Sequence, residues 1–439
     1  MKLNKLRKQL TWMKVCRFCF YAFVFLLPLQ INVIVYATPI FESGNFNQIT
    51  SFFLYLTDFL FLAAFICWGI AIFKNEFKEK ITYGKSAIAI LLVLFLIIAE
   101  VSVLFAEDQW LSFAYVIRFV ELILMYFFVV NKTVKINTII NVFIASVSLQ
   151  ALLAVIQYLY QGSVGFAIFG EPQISADIPG VAKIQLEENT LMRPYGTLPH
   201  PNILAGYLLA GILFAYHRIR QKEYIAYPLL ILMSAALVLA FSRGAFLAIL
   251  VAFLVYISLK NSRISIKYIL FSLSILIFFV VLFNLEQSIL TRLFLMDDSS
   301  LTDRVFYFNI SKQMMYAIPF GIGLGNFTLL MSDFTSAKLA PWDFQPVHNI
   351  YMLITNEMGV FGFIVFVLLL VSFAVLIFLA MKKADKHKRN LGAILISLLT
   401  ALCIIGLFDH YLISLYHGQA LLFLMFAVFG SYAITSKSH

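Results

Sequence analysis

Apolar residues in this chain come in unbroken runs of about twenty, separated by short polar stretches. They show neither the two-residue alternation of a half-buried strand nor the narrow stripe of an amphipathic surface helix. Runs of this length match a helix crossing a hydrocarbon core about 30 Å thick. Hydrocarbon offers backbone N–H and C=O groups no partner, so a continuous run has to satisfy its own bonds as a helix, whereas a membrane β-barrel would alternate over segments of about ten residues. The runs predict spans at 15–36, 49–73, 86–105, 110–131, 138–160, 200–217, 224–241, 244–260, 265–284, 360–381, 391–413 and 416–434. The expected fold is an all-α polytopic membrane protein of about 12 transmembrane helices, with a large extracytoplasmic loop between spans 9 and 10 that contains short helices. It divides into an N-terminal bundle over 1–160, holding spans 1–5, and a region over 161–434 that includes two long loops at 161–199 and 285–359.

Basic residues orient this bundle. Of the 32 Lys and Arg residues, 24 fall on the side that holds the N-terminus, which predicts that both termini are cytoplasmic. The basic start (Lys2, Lys5, Arg7, Lys8) leads into no small-residue cleavage site, so the first run reads as a retained span rather than a signal peptide. Composition agrees, at 62% hydrophobic and 12% charged. The net charge of +10 sits in short loops, where it sets orientation, so no nucleic acid is expected as a partner. Cys16-x-x-Cys19 has the spacing of half a metal clip, but no second pair accompanies it and packing inside the first span is the reading.

Against the charge trend, the turn Ser242-Arg243-Gly244 between two apolar runs carries an arginine on the outer side. A snorkelling arginine at a helix end is the alternative to a functional one. In the second long loop, Ser300 and Asp303 have the spacing of a capping box ahead of a helix at about 301–317, with Arg304 in its first turn. Free N–H groups at such a start make an anion site plausible. Gly321-x-Gly323-x-Gly325 follows a helix and a proline, not a strand, so it predicts a tight backbone passage and not a dinucleotide loop. Pro346 and the glycines Gly359 and Gly362 bracket a short helix with His348 and Asn349 at its start and Tyr351 one turn on. Inside the apolar runs lie Asp58, Glu100, Arg118 and Glu121, and intramembrane ionisable groups are costly enough to be functional candidates. Arg118 and Glu121 are three apart and can neutralise each other. Asp409, His410 and His417 fall at the outer ends of the last two spans.

Three stretches together resemble the O-antigen ligase and O-antigen polymerase superfamily of bacterial envelope glycan enzymes: "RPYGTLPHPNILAGYL" (193–208), "FSRGAFLAI" (241–249), and the outer loop from "DRVFYFNI" through "PFGIGLGNF" to "HNIYMLITNEMGVFG" (303–362). "LFDHYLISLYHGQALLF" (407–423) is similar to a C-terminal stretch of many members. The resemblance implies a membrane glycosyltransferase in the bacterial cytoplasmic membrane, with 161–434 as its catalytic region. It would move a glycan from a polyprenyl diphosphate carrier to a hydroxyl of a glycan or lipid-anchored acceptor, among membrane lipids, with no cofactor, metal or nucleotide sugar. It further implies His348 as general base, Arg243 and Arg304 as holders of the diphosphate, and Arg193, His200, Asn202, Asn349 and Tyr351 in support. His200 departs from the family pattern, since "LPHPN" lacks the small residue common before the histidine, and is expected to be structural. A polymerase of lipid-linked repeat units is the alternative within the family. From the charges at Asp58, Glu100, Arg118 and Glu121, an ion or solute transporter is the alternative outside it, although no internal repeat supports one.

Overall fold

The computed structural model describes residues 11–37, 48–186, 189–260, 299–340 and 343–435. Helix α1 (Trp12–Leu26) is capped by Thr11, whose hydroxyl accepts from Lys14 N at 3.3 Å. It ends well short of residue 36, because Pro28 supplies no N–H to continue a helix and restricts the residue before it. The β-branched run beyond it forms β1 (Asn32–Ala37), paired antiparallel with β2 (Ser51–Tyr55). The predicted first and second spans are therefore each cut back by a strand, and the fold is helical with small hairpins rather than all-α.

Helix α2 (Leu56–Phe73) starts where Asp58 turns back to accept from Tyr55 N at 2.9 Å. The chain continues through α3 (Ser86–Ser102), α4 (Gln109–Val130) and α5 (Ile136–Tyr160). A loop carrying the hairpin β3 (Lys183–Leu186) and β4 (Asn189–Met192) leads to α6 (Pro201–Arg220), α7 (Ala226–Leu239) and α8 (Arg243–Lys260). The predicted span at 265–284 and the side chain of Ser300 lie outside the described residues. Then follow α9 (Ser299–Ala317), the single turn α10 (Phe327–Leu330), α11 (Ile350–Lys382), α12 (Lys386–Phe408), the single turn α13 (Tyr411–Ser414) and α14 (Tyr416–Thr435).

Among the described residues nine helices are long and apolar enough to cross a membrane. Two predicted spans fall short of that, α1 at 15 residues and α7 at 14. The predicted short helix before the tenth span is present as the first turns of α11, which leaves helical geometry at Gly359 (φ 70°, ψ −179°).

Helix α14 is the central post, buried from Tyr416 to Ala433. It packs along α4 and touches α11, while α8 lies along α12, α3 along α11, and α5 against α6, α7 and α1. On the rim, α3 turns Ile90, Val93, Leu94, Ile97 and Val101 outward. Their three-to-four spacing marks a lipid-facing stripe, costly in water and at home in a bilayer. Arg118 is 3% exposed and sits in the bundle with Nη1 at 2.6 Å from Asp58 Oδ1 and 2.5 Å from Glu121 Oε2. Its Nη2 donates to Phe53 O at 2.8 Å, and the guanidinium lies 4.5 Å from the Tyr416 ring centre. The expected pair is thus a closed triad, and Glu100 stands apart from it on the exposed face of α3.

Candidate active site

Five segments meet at one cavity: the loop before α6, the turn between α7 and α8, the start of α9, the loop before α11 and the end of α12. His200 opens α6 as its N-cap, with Nδ1 accepting from Asn202 N at 3.1 Å and Pro201 at the first helical position, where a missing N–H is harmless. With 14 residues, α7 rises about 21 Å, less than a core of about 30 Å, and the turn after it lines the cavity. Phe241 makes this turn in left-handed geometry (φ 47°), which costs a bulky side chain on the order of 1–3 kcal/mol. Burial of its ring against Tyr158 at 6.4 Å holds it there. The turn leaves Ala240 O to accept from Arg193 Nε at 2.8 Å and delivers Arg243 as the first residue of α8. At the end of α12 the chain goes extended at Asp409, and at the start of α11 Asn349 caps the helix by accepting from Tyr351 N and Met352 N.

These ends enclose a cavity of about 260 Å³. Arg193, His200, Asn202, Arg243, Arg304 and His348 line it, which brings together six of the eight site residues that the family resemblance implies. Asn349 and Tyr351 do not line it. Besides capping, Asn349 Nδ2 donates to Leu407 O at 3.2 Å, and the Tyr351 hydroxyl donates to Cys403 O at 3.0 Å, so both tie α11 to α12.

A polar chain braces one wall. Arg193 Nη2 donates to Asn202 Oδ1 at 2.7 Å, Asn202 Nδ2 donates to Asp409 Oδ2 at 2.7 Å, and Asp409 Oδ1 accepts from His410 N at 2.8 Å. Burial by itself would raise the Asp409 carboxyl, but His410, His348, His200 and the Asn202 amide outweigh it and hold Asp409 below the usual carboxylate value. His348 lies between two rings, Tyr307 at 5.6 Å and near-parallel, and His410 at 5.1 Å and edge-on. Tyr307 is itself fixed, its hydroxyl donating to Asp343 O at 2.8 Å. His348 Nδ1 is sealed from solvent and has no hydrogen-bond partner among the described residues. Burial pushes its pKa below the ordinary 6.5, with Asp409 pulling the other way. Burial and Arg193 push His200 down to about 3, and burial and His348 push His410 down to about 3. At neutral pH this wall therefore holds one carboxylate and neutral imidazoles, with the arginines Arg193, Arg243 and Arg304 at the same cavity. Such a site can bind an anion and accept a proton.

Sequence reading missed the parts of the lining whose signal is weak in one dimension. Tyr307 looks like any aromatic on a helix, and Asp343 and Gln345 sit in an unpatterned loop. Cys16 is buried and Cys19 half-buried within α1, as packing residues would be.

No curated protein matches the sequence. Residues 228–367, which carry Arg243, Arg304 and His348, match the family described as O-Antigen ligase. Over those residues the chain is similar to the O-antigen ligase family, and among the described residues its long apolar helices are those of a membrane protein.

Proposed function

We propose that the protein transfers a pre-assembled glycan from a polyprenyl diphosphate to an acceptor hydroxyl, in the cavity of about 260 Å³, on the outer face of the cytoplasmic membrane. Arg243 and Arg304 hold the diphosphate. As the bond from the anomeric carbon to the phosphate oxygen breaks, negative charge grows on the leaving group. Fixed guanidinium groups in a recessed, low-dielectric site stabilise that charge more than water would. His348 takes the proton of the acceptor hydroxyl while its oxygen forms the new bond to the anomeric carbon from the opposite side, inverting that centre. Asp409 then faces the imidazolium so formed, and the Arg193–Asn202–Asp409 chain keeps that carboxylate in place.

The observation that carries this reading is the convergence of two arginines and a neutral histidine, from segments up to 105 residues apart in sequence, on one cavity. The excess of Lys and Arg on the opposite side supports placing that cavity outside, with both termini cytoplasmic. The family match supports lipid-linked glycans as substrates.

The test is release of polyprenyl diphosphate from a lipid-linked glycan by the purified protein in liposomes with envelope lipid. Release by the wild type that disappears in His348→Ala is the expected result, and undiminished release by that variant would overturn the assignment. A single product indicates a ligase and a ladder indicates a polymerase; a ligase is the reading adopted.

A further inference from the structure

The passage Gly321-x-Gly323-x-Gly325 is wedged between two helices. Where α11 leaves helical geometry at Gly359, the carbonyls of Asn356 and Glu357 lose their helical partners and instead accept from Ile322 N and Gly323 N, both at 2.9 Å. A Cβ on Gly321 would stand 2.6 Å from Gly359 N, and one on Gly325 would stand 2.6 Å from the Tyr115 ring of α4. Just beyond, the fully buried Asn326 accepts from Asp108 N at 2.7 Å, which ties the same loop to the start of α4.

Inside this knot is a carboxyl group that the transfer chemistry does not use. Glu357 is 4% exposed, its backbone carbonyl holds Gly323 N at 2.9 Å, and its side chain lies beside the backbone amides of Gly325 and Phe327. The residue before it, Asn356, donates to Ser311 Oγ of α9 at 2.5 Å. Ser311 shares a helix face with Tyr307 and Arg304, at three-to-four spacing, so any shift of α9 at this anchor moves Arg304, seven residues or about 10 Å up the helix.

We propose that Glu357 is a positioning residue for the transfer site. By filling the space beside the Gly325 and Phe327 amides, its buried carboxyl group locks the glycine loop into the break of α11 and so fixes α9 and Arg304 relative to His348. This rests on the role given to Arg304 above. A clamp matters because a guanidinium that wanders by about 1 Å can cost about 100-fold in rate.

The experiment uses the full chain with its four cysteines replaced by serine and spin labels at Glu107→Cys and Lys312→Cys, two exposed positions on the α3–α4 turn and on α9. Electron–electron double resonance reads the distance distribution between them, and the transfer assay reads donor and acceptor kinetics. Glu357→Ala is expected to broaden the distribution and raise the donor KM at least about tenfold, with the acceptor KM unchanged. Glu357→Gln keeps one acceptor oxygen and recovers part of both, and stands as the test if the alanine variant does not insert. An unchanged distribution overturns the clamp, and a broadened distribution with wild-type donor KM overturns the positioning role. A wild type that transfers nothing while the alanine variant still broadens the distribution refutes the transfer reading and leaves the clamp intact.

Discussion

Replacing Arg118 by methionine tests whether the charges inside the bundle are structural or form an ion path. Arg118 contacts two carboxylates at 2.6 and 2.5 Å, and the side chains of Arg118, Asp58 and Glu121 are 4%, 9% and 22% exposed. Removing one partner from a buried ion pair costs about 3–5 kcal/mol, because the charge left behind cannot reach water. The lost bond to Phe53 O adds about 1 kcal/mol, and the lost contact with Tyr416 about 1 kcal/mol more. Contributions in one network are not additive, and the partly exposed Glu121 can relax toward solvent, so the working figure is about 4 kcal/mol. A combined Asp58→Asn, Arg118→Met, Glu121→Gln variant leaves no unpaired charge and is expected to lose only about 1 kcal/mol. The assay is unfolding by dodecyl sulfate in mixed micelles, followed by circular dichroism, with transfer measured under folding conditions. A cost below about 1 kcal/mol for Arg118→Met, or a triple variant as unstable as the single one, would refute the structural reading. So would loss of transfer in a triple variant that is fully folded.

Other outcomes follow from the site. His348→Ala is expected to lower kcat about 10²- to 10⁴-fold with little change in donor KM. Because burial holds the His348 pKa below 6.5, its base form persists as pH falls through that value. The acid limb of kcat/KM is expected below pH 6.5, and a limb at or above it would contradict a buried base. Arg243→Ala is expected to raise the donor KM, and Arg243→Lys to rescue it only in part, since an ammonium cannot grip phosphate oxygens bidentately; full rescue would contradict diphosphate binding at that position. Transfer is expected to persist in chelator, and its loss there would show that the arginines do not act alone. Gly321→Ala, at φ +98° with its Cβ 2.6 Å from Gly359 N, is expected to destabilise the fold by about 2 kcal/mol, read as a lower melting temperature in detergent.

Eleven of the twelve predicted spans have a helix at their place among the described residues, because run length in an apolar solvent is a local property that needs no knowledge of neighbours. Boundaries failed where local chemistry beat hydropathy, as at Pro28, after which β-branched residues became a strand. The candidate arginines and His348 were legible because a charge at the end of an apolar run stands out against its surroundings. Tyr307, Asp343 and Glu357 were not, since each has an ordinary residue type in an ordinary local setting, and only its neighbours in space give it work.

What the sequence determined alone was the class of molecule and which residues fall at which helix end. Tertiary structure decided that Arg193 reaches Asn202 and Asp409, that Tyr307 and His410 flank His348, and that a glycine loop closes on the break at Gly359. Hydropathy and charge act on one segment at a time, whereas the cavity and its pKa shifts depend on which helix ends are pressed together and what water they exclude.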